Sequence, residues 1–96
     1  MGWLAEAGVV LLAGCATDCQ FHGVDVPPDG TQTGRIMAEY IVGPEQIAAK
    51  CRSPFTQLYG CTIPIAPNEY LIYSIDHPGV LAHERCHALY ETVKHH

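Results

Sequence analysis

The chain is expected to fold as a small α+β domain, β-α-β-β-α, with its C-terminal helix packed on a short sheet. Three observations predict it. Two β-prone runs lie close together, 61–65 and 70–75, with a turn between them. Pro44 and Pro78 each stand at the start of a stretch with helical character. Ninety-six residues allow one domain. No internal repeat is present.

Taken in order, residues 1–15 form a signal-like segment. The apolar run Val9 to Ala13 leads into Leu12-Ala13-Gly14-Cys15 and is too short to span a bilayer, which takes about 20 apolar residues. Residues 16–34 are rich in Gly, Pro, Asp and Thr without helical period and read as a tether or loop, with Pro27-Pro28-Asp29-Gly30 as a turn. The folded domain then occupies 35–96. Ile36 to Val42 is a strand with Ile36, Ala38, Tyr40 and Val42 on one side. Gly43-Pro44-Glu45 opens a helix to about Cys51, with Ile47 and Cys51 on one face and Ser53-Pro54 as its stop.

Cys61 to Ile65 is a short strand, and Pro64, which cannot donate to a ladder, makes it an edge. After the turn Ala66-Pro67-Asn68-Glu69, Tyr70 to Ile75 is the strongest strand, pairing as a hairpin with the one before it. Asp76 caps the last helix, which His77-Pro78 enter and which runs to about Val93.

Charge and cysteine usage narrow the function. A net charge of −5 with only five Lys and Arg supplies no basic stripe, which argues against nucleic acid as a partner. Five cysteines are many for so short a chain. In an exported protein they read as disulfides, and small domains need such staples. If Cys15 is set apart, Cys19, Cys51, Cys61 and Cys86 remain. Cys51 and Cys61 bracket a short loop and pair, which leaves Cys19 with Cys86; Cys61 with Cys86, tying the hairpin to the helix, is the alternative.

The last helix carries the chemistry. His83 and His87 are four residues apart, so about 40° separates them on one helix face. Two imidazoles so placed can share one metal ion. Glu84, one position along, stands near such a metal without being well placed to bind it, where a carboxylate can take a proton from an attacking water. A catalytic zinc needs a third protein ligand, and Glu91, His95 and His96 are the candidates, the terminal pair slightly preferred. His22 reads as a solvated tether residue, His77 as part of the helix cap and Tyr90 as a partly buried side chain. Cys86 points away from His87, toward the protein body.

His83-Glu84-Arg85-Cys86-His87 resembles the His-Glu-x-x-His motif of the zincin metallopeptidases, carried by a helix beside a sheet. The resemblance implies that His83 and His87 are Zn2+ ligands and Glu84 the general base in hydrolysis of a peptide or protein substrate. Val80 and Leu81 agree with the aliphatic residues common before that motif, and Arg85 departs from it. Leu12-Ala13-Gly14-Cys15 in turn resembles the lipobox of bacterial lipoproteins. This implies lipidation of Cys15 and a membrane-anchored protein facing the periplasm. The alternative is a non-catalytic, disulfide-stabilised envelope lipoprotein serving as an interaction module, with a structural metal or none.

Overall fold

A computed structural model describes residues 16–52 and 59–93. The lipobox-like segment with Cys15, the Ser53-Pro54 stop, and His95 and His96 lie outside the described residues. The elements are α1 (Ala16–Phe21), β1 (Arg35–Ile41), α2 (Pro44–Cys51), β2 (Gly60–Ala66), β3 (Glu69–Ser74) and α3 (Pro78–Tyr90). The domain is mixed α and β, with a three-stranded sheet in the order β1-β3-β2.

β2 and β3 form the expected antiparallel hairpin, and Asn68 turns it in the left-handed region at φ 66°. β2 is an edge strand, as Pro64 requires. β1 pairs parallel to β3 on the other side, so α2 and β2 together make the crossover between them. The register shifts between Ile36 and Ala38, a bulge at Met37. Ile36 pairs with Tyr70, and Ala38 with Leu71, whose side chains alternate across the sheet. Ile36 therefore lies on the opposite side from Ala38 and Tyr40, and Val42 falls just beyond the strand; the bulge resets the alternation.

α2 begins as expected at Pro44, where the Gln46 side chain accepts a hydrogen bond from the Gly43 N–H (3.1 Å). It ends on Arg52 in the left-handed region. Ile47 buries its hydrophobic face, and Cys51 is bonded to Cys61.

α3 differs from expectation at both ends. Its N-cap is His77 rather than Asp76: Nδ1 of His77 accepts from the N–H groups of Gly79 (3.1 Å) and Val80 (3.3 Å). The cap sits one residue later because Pro78 takes the first helical position. The helix stops at Tyr90 instead of Val93, because Glu91 adopts φ 49°, ψ 49°. A residue other than glycine holds that conformation because its carboxylate is gripped from outside the helix. Tyr70 Oη donates to Oε1 (2.7 Å), and Asn68 Nδ2 (2.7 Å) and Thr33 Oγ1 donate to Oε2.

The segment expected to be a tether is partly built into the fold. Cys19 of α1 is bonded to Cys86 of α3, and the two join Val24 and Tyr90 in a buried cluster. The chain then passes so near α3 that a Cβ on Gly34 would lie 1.9 Å from the Ala88 carbonyl oxygen, which only glycine accommodates. The disulfides are thus Cys19–Cys86 and Cys51–Cys61.

α3 is buried on two sides. Glu84 and Ala88 turn toward the sheet, and Cys86 and Tyr90 toward the α1 cluster. At 100° per residue His83 and His87 fall in the seam between these two stripes. Arg85 points elsewhere, to β1: its Nε and Nη2 grip the Glu39 carboxylate at 2.6 and 2.7 Å. This explains a charged residue where the motif usually has none. The pair is partly exposed, so Arg85→Ala is expected to destabilise the fold by about 1 kcal/mol, read by denaturant unfolding. A cycle with Glu39→Ala should recover most of that loss as pair coupling.

Candidate functional site

Each histidine of the seam is oriented by a backbone carbonyl. His83 Nδ1 lies 2.7 Å from the carbonyl oxygen of His22, and His87 Nδ1 lies 2.6 Å from that of Thr92. A carbonyl oxygen only accepts, so both Nδ1 atoms carry the proton and donate it. Both Nε2 atoms then present lone pairs, and they face each other at 3.0 Å. Two lone pairs at that distance repel unless a proton or a cation is shared between them. In a tetrahedral zinc site, with Zn–N of about 2.0–2.1 Å, the two nitrogens stand about 3.3–3.4 Å apart. A few tenths of an ångström of ring movement converts one spacing to the other. Nδ1 fixed on a carbonyl with Nε2 aimed at a common point is also how proteins set a metal-binding tautomer. The residues present therefore fit zinc at two positions.

Of the candidates for a third ligand, Glu91 lies among the described residues and is not brought to that point. The Glu91 carboxylate is held by Thr33, Asn68 and Tyr70, and its hydrogen bonds from these donors keep it ionised well below the usual carboxylate range. Among the described residues, no group of three His, Cys, Asp or Glu side chains is arranged to hold a metal ion. His22 contributes through its carbonyl rather than its ring. Cys86 is in its disulfide.

Glu84 is buried at 8% exposure, and β2 shapes its surroundings. Thr62 Oγ1 lies 2.9 Å from both Oε1 and the backbone oxygen of Glu84, its single hydrogen shared between them. Gly60 leaves room beside the same side chain: a Cβ there would stand 3.1 Å from Glu84 Cγ and 2.9 Å from the Tyr73 carbonyl oxygen. Burial pushes the Glu84 pKa up, against smaller lowering effects from the Thr62 hydrogen bond and the nearby His83. A carboxylate so raised is a stronger base.

The shift has a consequence for stability. A folded-state pKa above the unfolded one favours folding fully below the unfolded value, and that stability is lost as pH rises through the folded value. Metal-free Glu84→Gln should therefore melt above wild type at neutral pH. The difference should close as pH falls below the ordinary carboxylate value of 4.5. Calorimetric scans across that range check it; a difference independent of pH would contradict the burial argument.

Two clefts flank Glu84 along β2. One, of about 310 Å³, is lined by Thr62, Pro64 and Tyr70 of the sheet and by Glu84, His87 and Glu91. The other, of about 340 Å³, is lined by Tyr59, Gly60, His77, Val80, His83 and Glu84. Together they trace a shallow groove between the edge strand and α3, with His83, Glu84 and His87 at its middle. Sequence reasoning missed Thr62, Tyr70 and the two carbonyls. Thr62 lay on an expected strand, but nothing in the sequence placed it opposite Glu84, and a backbone acceptor leaves no residue-type signal.

No protein-family model, curated protein or solved structure matches this chain. Among the described residues, no helix is long and apolar enough to cross a membrane.

Proposed function

We propose that this protein is a zinc-dependent peptidase anchored at the bacterial cell envelope. The observation that carries the reading is the convergence of two Nε2 atoms, each fixed by an Nδ1–H donated to a carbonyl, beside a buried carboxylate. His83 and His87 hold the ion. The third ligand is His95 or His96. In support, the chain turns back at Glu91 and rests its Thr92 carbonyl on the His87 ring. His95 follows three residues later, within a reach of about 10 Å.

A zinc ion held there by His83 and His87 would supply an electrophile for a carbonyl oxygen and lower the pKa of a water to about 7. The chain's own residues do the rest. Glu84 takes the proton of the attacking water at a carboxylate oxygen and delivers it to the leaving amine. Thr62 holds that carboxylate in one rotamer. The β2 edge, paired with no further strand among the described residues, binds an extended peptide as an added strand. The Leu12-Ala13-Gly14-Cys15 segment supports export and lipidation at Cys15, and two disulfides suit the periplasmic side of a membrane.

One observation favours a second reading, a non-catalytic envelope module: among the described residues no third ligand joins the pair. Bound zinc and hydrolysis of an unstructured protein, measured in wild type and in Glu84→Gln, separate the two. Stoichiometric zinc in both, with hydrolysis reduced about 10²–10⁴-fold in the variant, supports the peptidase. Zinc without hydrolysis in wild type supports the module. No zinc in either sinks the metal site.

A further inference from the structure

We propose that the Cys19–Cys86 disulfide is a positioning element of the histidine pair, acting on His83 through the backbone carbonyl of His22; its metal consequence rests on the zinc reading above. Cys86 lies between His83 and His87 in the chain, on the adjoining side of α3. Its partner Cys19 is equally buried, both at 0% exposure. From Cys19 the chain makes one closed turn. The Cys19 carbonyl accepts from the N–H groups of His22 (3.1 Å) and Val24 (3.0 Å), and His22 N–H also approaches the Asp18 carbonyl at 3.1 Å. The His22 carbonyl is thereby fixed relative to the sulfur bridge three residues before it, and it takes the His83 Nδ1–H at 2.7 Å.

The path is short and continuous: sulfur bridge, closed turn, carbonyl, ring nitrogen. α1 has six residues, too few to be stable as a helix without an anchor. With the bridge removed, the turn leaves α3 and the His83 ring loses the acceptor that sets its tautomer. The ring is then free to rotate about χ2 or to move its proton to Nε2, and either change removes a donor nitrogen from the pair. Cys51–Cys61 provides the matched control. Cys61 pairs with Tyr73 on the sheet face opposite Thr62 and Glu84, so that bridge staples α2 without touching the seam.

The test compares wild type with Cys19→Ala/Cys86→Ala and Cys51→Ala/Cys61→Ala. In metal-free protein, nitrogen–proton correlation spectra of the imidazoles should show His83 as the Nδ1–H tautomer in wild type and in the Cys51/Cys61 variant. In the Cys19/Cys86 variant that signature should be lost. Zinc affinity from chelator competition should fall about 10–100-fold in the Cys19/Cys86 variant alone. If that variant does not fold, a glycine inserted between Gln20 and Phe21 keeps the bridge while turning the His22 carbonyl by about 100°. It should lose the His83 signature as well. An unchanged His83 signature in the folded Cys19/Cys86 variant, or in the insertion variant, overturns the proposal. If wild type binds no zinc, the metal reading fails separately and the tautomer still decides this one.

Discussion

His87→Ala is expected to weaken the proposed zinc binding by about two to three orders of magnitude. Zinc sites with four protein ligands bind with about 10–16 kcal/mol at neutral pH, so one ligand accounts for about 3–4 kcal/mol, and each 1.4 kcal/mol is a factor of ten. His87 also holds the Thr92 carbonyl, one residue beyond the Glu91 cap of α3. In the zinc reading, the substitution therefore removes one ligand and also releases the Thr92 carbonyl. His83→Ala removes a ligand but leaves the Thr92 carbonyl on His87, so the loss should be smaller. Competition titration with a chromophoric chelator measures both. An affinity unaltered by either substitution would mean that the facing nitrogens share a proton and that any zinc binds elsewhere.

The second large effect concerns stability. Cys19–Cys86 spans 67 residues and Cys51–Cys61 spans 10. Restriction of the unfolded chain then favours folding by about 4.4 and about 2.7 kcal/mol respectively. Domains are stable by about 5–15 kcal/mol, so loss of the longer bridge removes a large share. Its removal also leaves small side chains in the cluster with Val24 and Tyr90, which adds to the loss. Denaturant unfolding of the two double-alanine variants should give the larger drop for Cys19/Cys86. The reverse order would show that α1 does not stay docked on α3 in solution.

The α+β class and the order of the elements from β1 to α3 were legible because those strands and helices carry local signals: β-branched and aromatic runs, Pro at helix starts, and Pro64 at an edge; α1, in a segment read as a tether, was not. The parallel pairing of β1 with β3 was not, since no local feature of either run selects a partner across two intervening elements. The bulge at Met37 was hidden because Ile36 to Val42 alternates without a break in composition. The end of α3 was misjudged for a related reason. A left-handed stop was sought in glycine, whereas here Glu91 is held in that conformation by Thr33, Asn68 and Tyr70, distant in the chain.

The candidate site was legible where it depends on spacing along one helix. His83, Glu84 and His87 share a neighbourhood because helical geometry puts them there. What orients them was illegible: carbonyls from His22 and Thr92, and a hydroxyl from Thr62. Arg85, a departure from the motif by residue type, proved to answer a carboxylate on β1, so its reason lies in the fold rather than in the chemistry.

The carbonyls that hold the two rings lie 61 and 5 residues from their histidines. That asymmetry gives the site a schedule. The near contact closes once Thr33, Asn68 and Tyr70 have set the terminal turn of α3 at Glu91, a step that needs no sulfur bridge. The far contact waits for a long loop to shut and a sulfur bridge to form, which takes seconds to hours. A newly made chain thus holds one oriented imidazole well before it holds two. Metal capture, in the zinc reading, becomes the last event of maturation, and a partly folded or reduced chain is silent as a hydrolase.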